Sequence, residues 1–336
     1  MPSLPKPRLR RTARTRAAVG SPTPETQTPQ VVTIDAGPEG RPLRWINVER
    51  WHPAERAWLE EHFEFHQLDY EDVASRNQRP KLDAYDDYLF LVLHFGVFDK
   101  VAGRLLTVEL DVFVGPDFVI TLPDGPLPPI AAMFERYRLN DELRESVFSK
   151  GPGYLLYKIV DTAVDASFPQ LRRMGEKLDR LEDDIFEGRS AEIVRDISNA
   201  KQEIISYRKT IKPERATLRL LERHTERFLP QDLELYFDDI VDAAERVWDL
   251  LENYKEVVEG LESTNESVIY HKQSDILRIL TLFSVTMLPL TLIAGVFGMN
   301  VIFPGEGGHV AFWVILGVMV VALSAMVGFF RWKKWL

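Results

Sequence analysis

The stretch ILTLFSVTMLPLTLIAGVF, residues 279–297, contains no charged side chain. A second uncharged stretch, VAFWVILGVMVVALSAMVGFF, follows at residues 310–330. A bilayer core about 30 Å thick needs roughly twenty apolar helical residues to cross it, so each stretch predicts a membrane span. A soluble protein would have to bury the two together as a helical hairpin, which is an uncommon arrangement.

The charges at the end of the chain predict the orientation of these spans. Residues 331–336 contain three basic side chains, whereas the loop at residues 301–309 contains no lysine or arginine. Because basic flanks stay on the cytoplasmic side, we expect both termini inside the cell and the loop outside. Trp332 and Trp335 are then expected at the inner membrane interface.

The rest of the chain is polar and acidic. The protein has 336 residues, a formal net charge of -10 and no cysteine. Thiolate metal sites are therefore excluded, and any bound divalent ion must use oxygen ligands or histidine. His62 and His66 are four residues apart and could share a metal, but no third ligand is nearby, so a surface helix is the favoured interpretation. The acidic segment 174–187 is interpreted as a solvated face, with concentration of cations beside the membrane mouth as the alternative.

Residues 1–30 are rich in arginine, proline and threonine and cannot bury a core, so they predict a disordered basic tail. Attraction of this tail to anionic lipid is an alternative to a purely solvated tail. No apolar run follows the basic cluster, which excludes a secretory signal.

The predicted order is a tail (1–30), a cytoplasmic α/β domain with acidic helices (31–229), a stalk helix (230–278), span 1 with its turn (279–300), an external loop (301–309), span 2 (310–330) and a basic end (331–336).

The sequence of the predicted cytoplasmic domain, residues 31–229, indicates an α+β fold with a mostly antiparallel sheet covered by helices. Alternating and β-branched patterns predict strands at residues 43–48, 88–98, 105–114 and 118–122, with the second and third paired as a hairpin. Helices are predicted at residues 53–63, 130–148, 153–187 with Pro169 as a break, and 191–227 ended or kinked by Pro213.

The stalk carries a heptad pattern. Apolar residues recur at intervals of four and three residues, at Ile240, Ala244, Val247, Leu251, Tyr254, Val258 and Leu261. This spacing predicts packing along a partner copy or a neighbouring helix. No breaker separates the stalk from span 1, so one helix is expected over residues 232–297, about 100 Å long. One short hairpin cannot enclose a pore, and homo-oligomerisation is the natural inference.

Span 1 has one polar face. Small, hydroxyl-bearing and leucine side chains recur at Ser274, Leu277, Thr281, Ser284, Leu288, Thr291 and Gly295. In a bilayer such a face belongs against protein or water. Lining of a pore and close packing between helices fit this pattern equally well.

The run MLPLTLIAGVFGMN, residues 287–300, resembles the end of the first span in the CorA family of magnesium channels, with that family's Gly-Met-Asn signature at Gly298, Met299 and Asn300. The resemblance covers residues 230–336. It implies a funnel-shaped homopentamer in which five first spans surround a pore and the signature forms the selectivity filter. An amide ring suits Mg²⁺, which dehydrates reluctantly, because amide oxygens accept hydrogen bonds from its bound water.

The resemblance also implies roles for single residues. Pore-lining positions map onto Ser274, Leu280, Leu288, Gly295 and Asn300, with Leu280 and Leu288 as hydrophobic constrictions. Ser274, Leu288 and Phe297 depart from the usual asparagine, methionine and tyrosine. Regulation by Mg²⁺ bound between cytoplasmic domains is implied at Asp239, with Asp99 as its partner across the interface. Glu306 in the outer loop would attract cations.

The sequence therefore predicts a passive divalent-cation channel in the cell (inner) membrane, for Mg²⁺ with Co²⁺ and Ni²⁺ as further ions. Its expected partners are copies of itself, the bilayer and divalent cations, and not nucleic acid. It contains no nucleotide-binding loop and no constellation of an enzyme active site. Two alternatives remain open, a zinc transporter of the same superfamily and a membrane-anchored coiled-coil scaffold without a pore.

Overall fold

The computed structural model describes residues 31–36, 43–49, 51–75, 79–99, 104–187, 190–224, 234–299 and 309–333. The predicted basic tail, the external loop up to residue 308 and the last three residues lie outside this part. The chain forms two compact units. The sheet unit comprises Met1–Val97, Leu106–Ala166 and Pro213–Ala243, and the helical unit comprises Phe98–Leu105, Ser167–Lys212 and Ala244–Leu336.

Six strands and nine helices occur in the described residues. The strands are β1 (Val31–Ala36), β2 (Leu43–Val48), β3 (Lys81–Ala84), β4 (Leu89–Asp99), β5 (Arg104–Val114) and β6 (Phe118–Pro123). The helices are α1 (Pro53–His62), α2 (Gln67–Ser75), α3 (Pro128–Leu139), α4 (Asp141–Phe148), α5 (Pro152–Asp165), α6 (Ser167–Glu187), α7 (Ser190–His224), α8 (Glu234–Phe297) and α9 (His309–Trp332).

The strands form one sheet in the order β1-β2-β6-β5-β4-β3. Strands β2 and β6 run parallel, with Asn47 opposite Thr121, and the β1–β2, β3–β4 and β5–β6 pairs are antiparallel. The prediction of a mostly antiparallel sheet is therefore confirmed. The sequence did not predict β1 and β3, which are the two edge strands. Strand β3 has only four residues, too few to show a clear alternation, whereas β1 has six, as many as the predicted strand β2.

Aromatic rings fill one side of the sheet. The ring of Phe65, from the segment between α1 and α2, stacks on Phe113 of β5 with centroids 4.2 Å apart. It also lies 4.7 Å from Tyr88, and Phe113 lies 4.6 Å from Phe90 of β4. Alternation along β4 and β5 places these rings on the same face, where large apolar groups contribute most to the core.

Two predicted helices are each divided in the structure. Asn140 separates α3 from α4 because its side-chain Oδ1 accepts a hydrogen bond from the backbone N–H of Leu143 (2.9 Å), the usual N-cap geometry. The second division falls at Ala166, between α5 and α6. Asparagine and alanine are also common inside or beside helices, so the apolar spacing alone did not reveal these boundaries.

Pro169 and Pro213 both lie within helices. The predicted helix over residues 153–187 divides at Ala166, three residues before Pro169. Pro169 itself is the third residue of α6, where its missing N–H has no helical partner to lose. Pro213 lies inside α7, which continues to His224. Pro213 therefore does not end its helix, and a kink at Pro213 stays a prediction. The uninterrupted helix predicted for the stalk and span 1 is confirmed by α8.

The heptad positions of α8 are buried in the helical unit. Val247, Leu251, Val258 and Leu261 belong to a core cluster with residues of α6 and α7, and Tyr254 packs against that cluster. Of the two partners that the heptad pattern left open, the described chain supplies neighbouring helices. Each heptad contact therefore stabilises the unit within a single chain.

Candidate functional site

The polar face of α8 is exposed along its length. Leu288 is 72% exposed and Leu277 is 61% exposed, and Ser274, Leu280, Thr281, Ser284, Thr291 and Gly295 are exposed as well. Half-buried residues of the same segment lie on another face, at Leu282, Thr286, Leu290 and Ile293. A helix with this distribution packs along one narrow side and leaves its other sides exposed, including the hydroxyl-bearing side and apolar residues such as Phe283 and Leu292.

Two threonines on this face have fixed hydroxyl groups. Thr281 Oγ1 donates to the carbonyl of Leu277 (2.7 Å), and Thr291 Oγ1 donates to the carbonyl of Met287 (2.8 Å). Each hydroxyl proton is thus used within the helix, and the oxygen retains its capacity as an acceptor. Water bound to a metal cation presents hydrogen atoms outward, so these oxygens can accept hydrogen bonds from a hydrated cation.

The two glycines at the end of α8 differ in their surroundings. The N–H of Gly298 donates to the carbonyl of Ala294 (2.8 Å), and a Cβ at Gly298 would lie 2.8 Å from that oxygen. A larger residue there would have to shift the backbone. A Cβ at Gly295 would meet no atom within 4 Å. The backbone at the end of the helix therefore requires a residue without a side chain at position 298. At position 295, no contact in the described part of the chain requires a glycine.

The remaining signature residues are only partly described. Met299 follows Gly298 in the turn and is 60% exposed. Asn300 and Glu306 lie outside the described residues. After the loop, α9 begins at His309 and ends at Trp332. By length and composition, α8 and α9 are the two described helices that could each cross a membrane.

Asp239 lies in the second turn of α8, within the sheet unit, and it is exposed. Burial raises the pKa of Asp161 on α5, the negative charges of Asp165 and Asp239 raise it further, and Lys158 opposes these effects. Lys158 Nζ is 3.6 Å from Asp161 Oδ2. Of these three carboxylates only Asp161 is paired with Lys158, so negative charge exceeds positive charge around it. The three are not among the described groups whose ligand atoms lie close enough together to hold a metal ion.

Sequence reasoning did not find Asp161 and Asp165. They lie about 75 residues from Asp239 in the chain, and only the packing of α5 beside the start of α8 brings them together electrostatically. The predicted partner Asp99 is the last residue of β4, and the position of its side chain lies outside the described part of the structure.

A second group of acids, Asp69, Asp72 and Asp83, offers carboxylate oxygens within 4.8 Å of one another. Lys81 already supplies a positive charge to this group, since its Nζ is 2.6 Å from Asp72 Oδ2 and also pairs with Asp83. Asp69 accepts hydrogen bonds from Tyr85 (2.9 Å) and Tyr88 (2.6 Å). Burial raises the pKa of Asp69 above its ordinary value. We interpret this group as a structural ion-pair network.

The two histidines considered as metal ligands are not on one helix. His62 ends α1 and stacks on Trp58 with centroids 4.3 Å apart, and His66 lies in the connection to α2. The prediction that both lie on one surface helix is therefore wrong, because α1 ends four residues earlier than His66. Neither belongs to a group of potential metal ligands among the described residues.

Comparison with known proteins connects these features. The family model described as CorA-like Mg2+ transporter protein matches residues 41–332. The chain belongs to the CorA family. The cobalt/magnesium transport protein CorA of Thermotoga maritima is 30% identical over 294 residues, which cover 87% of this chain and 83% of that protein. A putative metal ion transporter of Bacillus subtilis is 30% identical over 298 residues, or 87% and 90% of the two chains.

A solved CorA structure has the same fold. The complete CorA magnesium transporter of Methanocaldococcus jannaschii superposes with a TM-score of 0.78 and 21% identity, covering 88% of this chain and 92% of that one. The predicted architecture of a mixed sheet with helices, a long helix and two apolar C-terminal helices is thereby confirmed for this CorA-family chain. A zinc transport protein, ZntB of Yersinia enterocolitica, is more distant at 20% identity over 296 residues.

Proposed function

We propose that this CorA-family chain forms a homopentameric channel for Mg²⁺, with Co²⁺ and Ni²⁺ as further ions, in the cell (inner) membrane with both termini in the cytoplasm. The observation that carries the proposal is the exposed polar face of α8, which runs without interruption to the turn at Gly298. A cobalt/magnesium transport protein is 30% identical over most of its length, which supports the same cargo here.

In this proposal the polar faces of five α8 helices surround a water-filled axis. The oxygens of Thr281 and Thr291 accept hydrogen bonds from the water shell of the ion. Gly295 has no side chain, which leaves space for that water shell. Five Asn300 amides form the outer ring with Gly298 and Met299. Neutral amide oxygens select a hydrated ion without stripping or trapping it. Glu306 raises the local cation concentration at the outer mouth.

Leu280 and Leu288 act as constrictions between these polar positions. A narrow apolar segment loses its water when it closes, and a hydrated divalent ion cannot enter a dry segment. The ion moves passively, because a divalent ion that crosses 100 mV gains roughly 4.6 kcal/mol, twice the value for a single charge. In this proposal no nucleotide hydrolysis is needed.

Regulation is proposed at Asp239. Its charge already acts on Asp161 within one chain, and Asp99 of a neighbouring copy would add a further carboxylate. A bound Mg²⁺ holds these like charges together, and its loss lets them repel one another so that the copies separate and the pore opens. In Asp239→Asn, inhibition of influx by internal Mg²⁺ should weaken, whereas it should persist in Asp238→Asn, which changes the neighbouring exposed carboxylate.

The central test is Mg²⁺ influx into vesicles that contain the purified protein under an inside-negative potential. Asn300→Ala should abolish selective Mg²⁺ influx, and Asn199→Ala, which alters an exposed asparagine of α7, should not. A coiled-coil scaffold without a pore predicts no influx for either protein. That result would rule out the channel.

Zinc transport is the second candidate, favoured by the similarity to the zinc transport protein of Yersinia enterocolitica. The same vesicles distinguish it when they are loaded with a Zn²⁺ indicator and tested with and without a pH gradient. Uptake of Zn²⁺ that depends on the gradient, without uptake of Mg²⁺, would replace the magnesium proposal.

A further inference from the structure

The sheet unit contains an open cleft of about 520 Å³ at the carboxyl ends of the parallel strands β2 and β6. Asn47 of β2 forms part of its floor, and the segments that follow the two strands form its walls. Ligands of α/β proteins commonly bind at this end of parallel strands, where the chain leaves the sheet. None of the roles proposed above uses this cleft.

The orientation of the Asn47 amide follows from a chain of hydrogen bonds. The Nε1–H of Trp45 donates to Thr121 Oγ1 (3.1 Å), and Thr121 in turn donates to Asn47 Oδ1 (2.8 Å). Because the indole can only donate, Thr121 Oγ1 accepts from it and has its own proton available for the Asn47 oxygen. With its oxygen engaged by Thr121, the Asn47 side chain, 8% exposed, can offer the N–H donors of its amide to the cleft that it lines.

The rim of the cleft is acidic and has an aromatic wall. Glu49 and Asp124 supply carboxylates, and Trp51 supplies an indole surface. No lysine or arginine occurs among the described residues that line it. This combination favours an occupant with cationic groups and with a hydrogen-bond acceptor for Asn47. A bare metal ion could use the carboxylates but would leave the Asn47 N–H groups unused, since N–H donors cannot coordinate a cation.

The N-terminal segment of this chain has the matching chemistry and starts beside the cleft. Strand β1 begins at Val31, which pairs with Val48 of β2, between the cleft residues Asn47 and Glu49. The preceding segment carries its basic residues before its first acid, Glu25, at Lys6, Arg8, Arg10, Arg11, Arg14 and Arg16. At about 3.3 Å per residue, the chain between Arg16 and Val31 can span about 50 Å.

We propose that the basic segment, residues 6–16, docks in this cleft of its own chain. An arginine guanidinium pairs with Glu49 and stacks on Trp51, and a backbone carbonyl of the segment accepts a hydrogen bond from the Asn47 amide. Attachment through a short connection gives the segment a millimolar effective concentration at the cleft. Docking withdraws the basic residues from anionic lipid, so the cleft and the membrane surface compete for one segment.

Cysteine cross-linking in the full-length protein tests this docking, because the chain contains no cysteine of its own. Thr12→Cys is combined with Ala131→Cys on the exposed wall of the cleft. The control combines Thr12→Cys with Ala74→Cys, which replaces an exposed alanine of α2. Helix α2 lies at the opposite edge of the sheet, since Lys81 of the edge strand β3 donates a hydrogen bond to Asp72 of α2. A short bismaleimide should cross-link residues 12 and 131 at least fivefold faster, with a product of monomer mass.

Charge variants make the test specific. Glu49→Lys should lower the yield between residues 12 and 131 several-fold, whereas Glu145→Lys, an exposed position on α4, should leave it unchanged. Equal yields at residues 74 and 131, insensitivity to Glu49→Lys, or products only of dimer mass would overturn the proposal. Loss of the cross-link whenever the vesicles contain anionic lipid would assign the segment to the membrane instead. Asn300→Ala should not alter any of these yields, so the outcome is independent of ion conduction.

Discussion

Helix α8 carries two faces with the same alternation of three and four residues, and the two differ in what covers them. In the stalk, Leu251 is 0% exposed and belongs to the core of the helical unit. In the span, Leu288 is 72% exposed. The spacing of residues therefore defines a contact face in both segments, but it does not say whether that face contacts the same chain, another copy or a water-filled path.

The largest expected effect separates the two faces by stability. Leu251→Ala removes a fully buried side chain and should lower the free energy of unfolding by about 2–5 kcal/mol. Leu288→Ala should change it by less than about 0.5 kcal/mol, because the side chain has few contacts within the chain. Urea unfolding in detergent measures both. Equal losses would show that the exposed face of the span is covered in the same way as the stalk.

The contrast between buried and exposed groups extends to carboxylates and predicts a pH dependence. Glu214 of α7 is 2% exposed, accepts the N–H of His94 (3.0 Å), and has no ion-pair partner among the described residues. Burial raises its pKa to about 8, and the hydrogen bond from His94 opposes that rise. The folded protein therefore retains a proton that the unfolded chain releases at lower pH.

The free energy of unfolding should consequently fall as the pH rises from the ordinary glutamate pKa towards about 8, by up to about 1.4 kcal/mol per pH unit, and then level off. Glu214→Gln keeps an acceptor for His94 and should flatten this dependence. Glu145→Gln, at an exposed position, should keep it. Unfolding midpoints between pH 5 and 9 are the measurement, and a parallel dependence in Glu214→Gln would refute the assignment.

A smaller effect distinguishes two threonines of the same span. Thr291 lies on the exposed polar face, whereas Thr286 is half-buried on the other side, and both donate to carbonyls of their own helix. Thr291→Val should reduce Mg²⁺ influx about tenfold, or about 1.4 kcal/mol in barrier height, because it removes an acceptor for the water shell. Thr286→Val should reduce it less than twofold. A larger loss in Thr286→Val would assign the path to the other face.

The local elements of the fold were largely predictable. The strands at Leu43–Val48 and Phe118–Pro123 and the continuous helix α8 follow from alternation, heptad spacing and the absence of breakers. The edge strands, the divisions at Asn140 and Ala166 and the tolerance of Pro213 were not, because short segments and helix boundaries depend on hydrogen bonds and packing that the pattern does not contain.

The candidate site divides in the same way. The sequence by itself determined the spans, the polar face from Ser274 to Gly295 and the signature with its amide, since these are properties of consecutive residues in one helix. Only the tertiary structure decided that the stalk face is buried by α6 and α7, that the charges of Asp165 and Asp239 act on Asp161, and that Asn47 lines a cleft together with Glu49 and Asp124. The physical reason is that burial and electrostatics depend on residues far apart in the chain, whose proximity is established only when the elements pack.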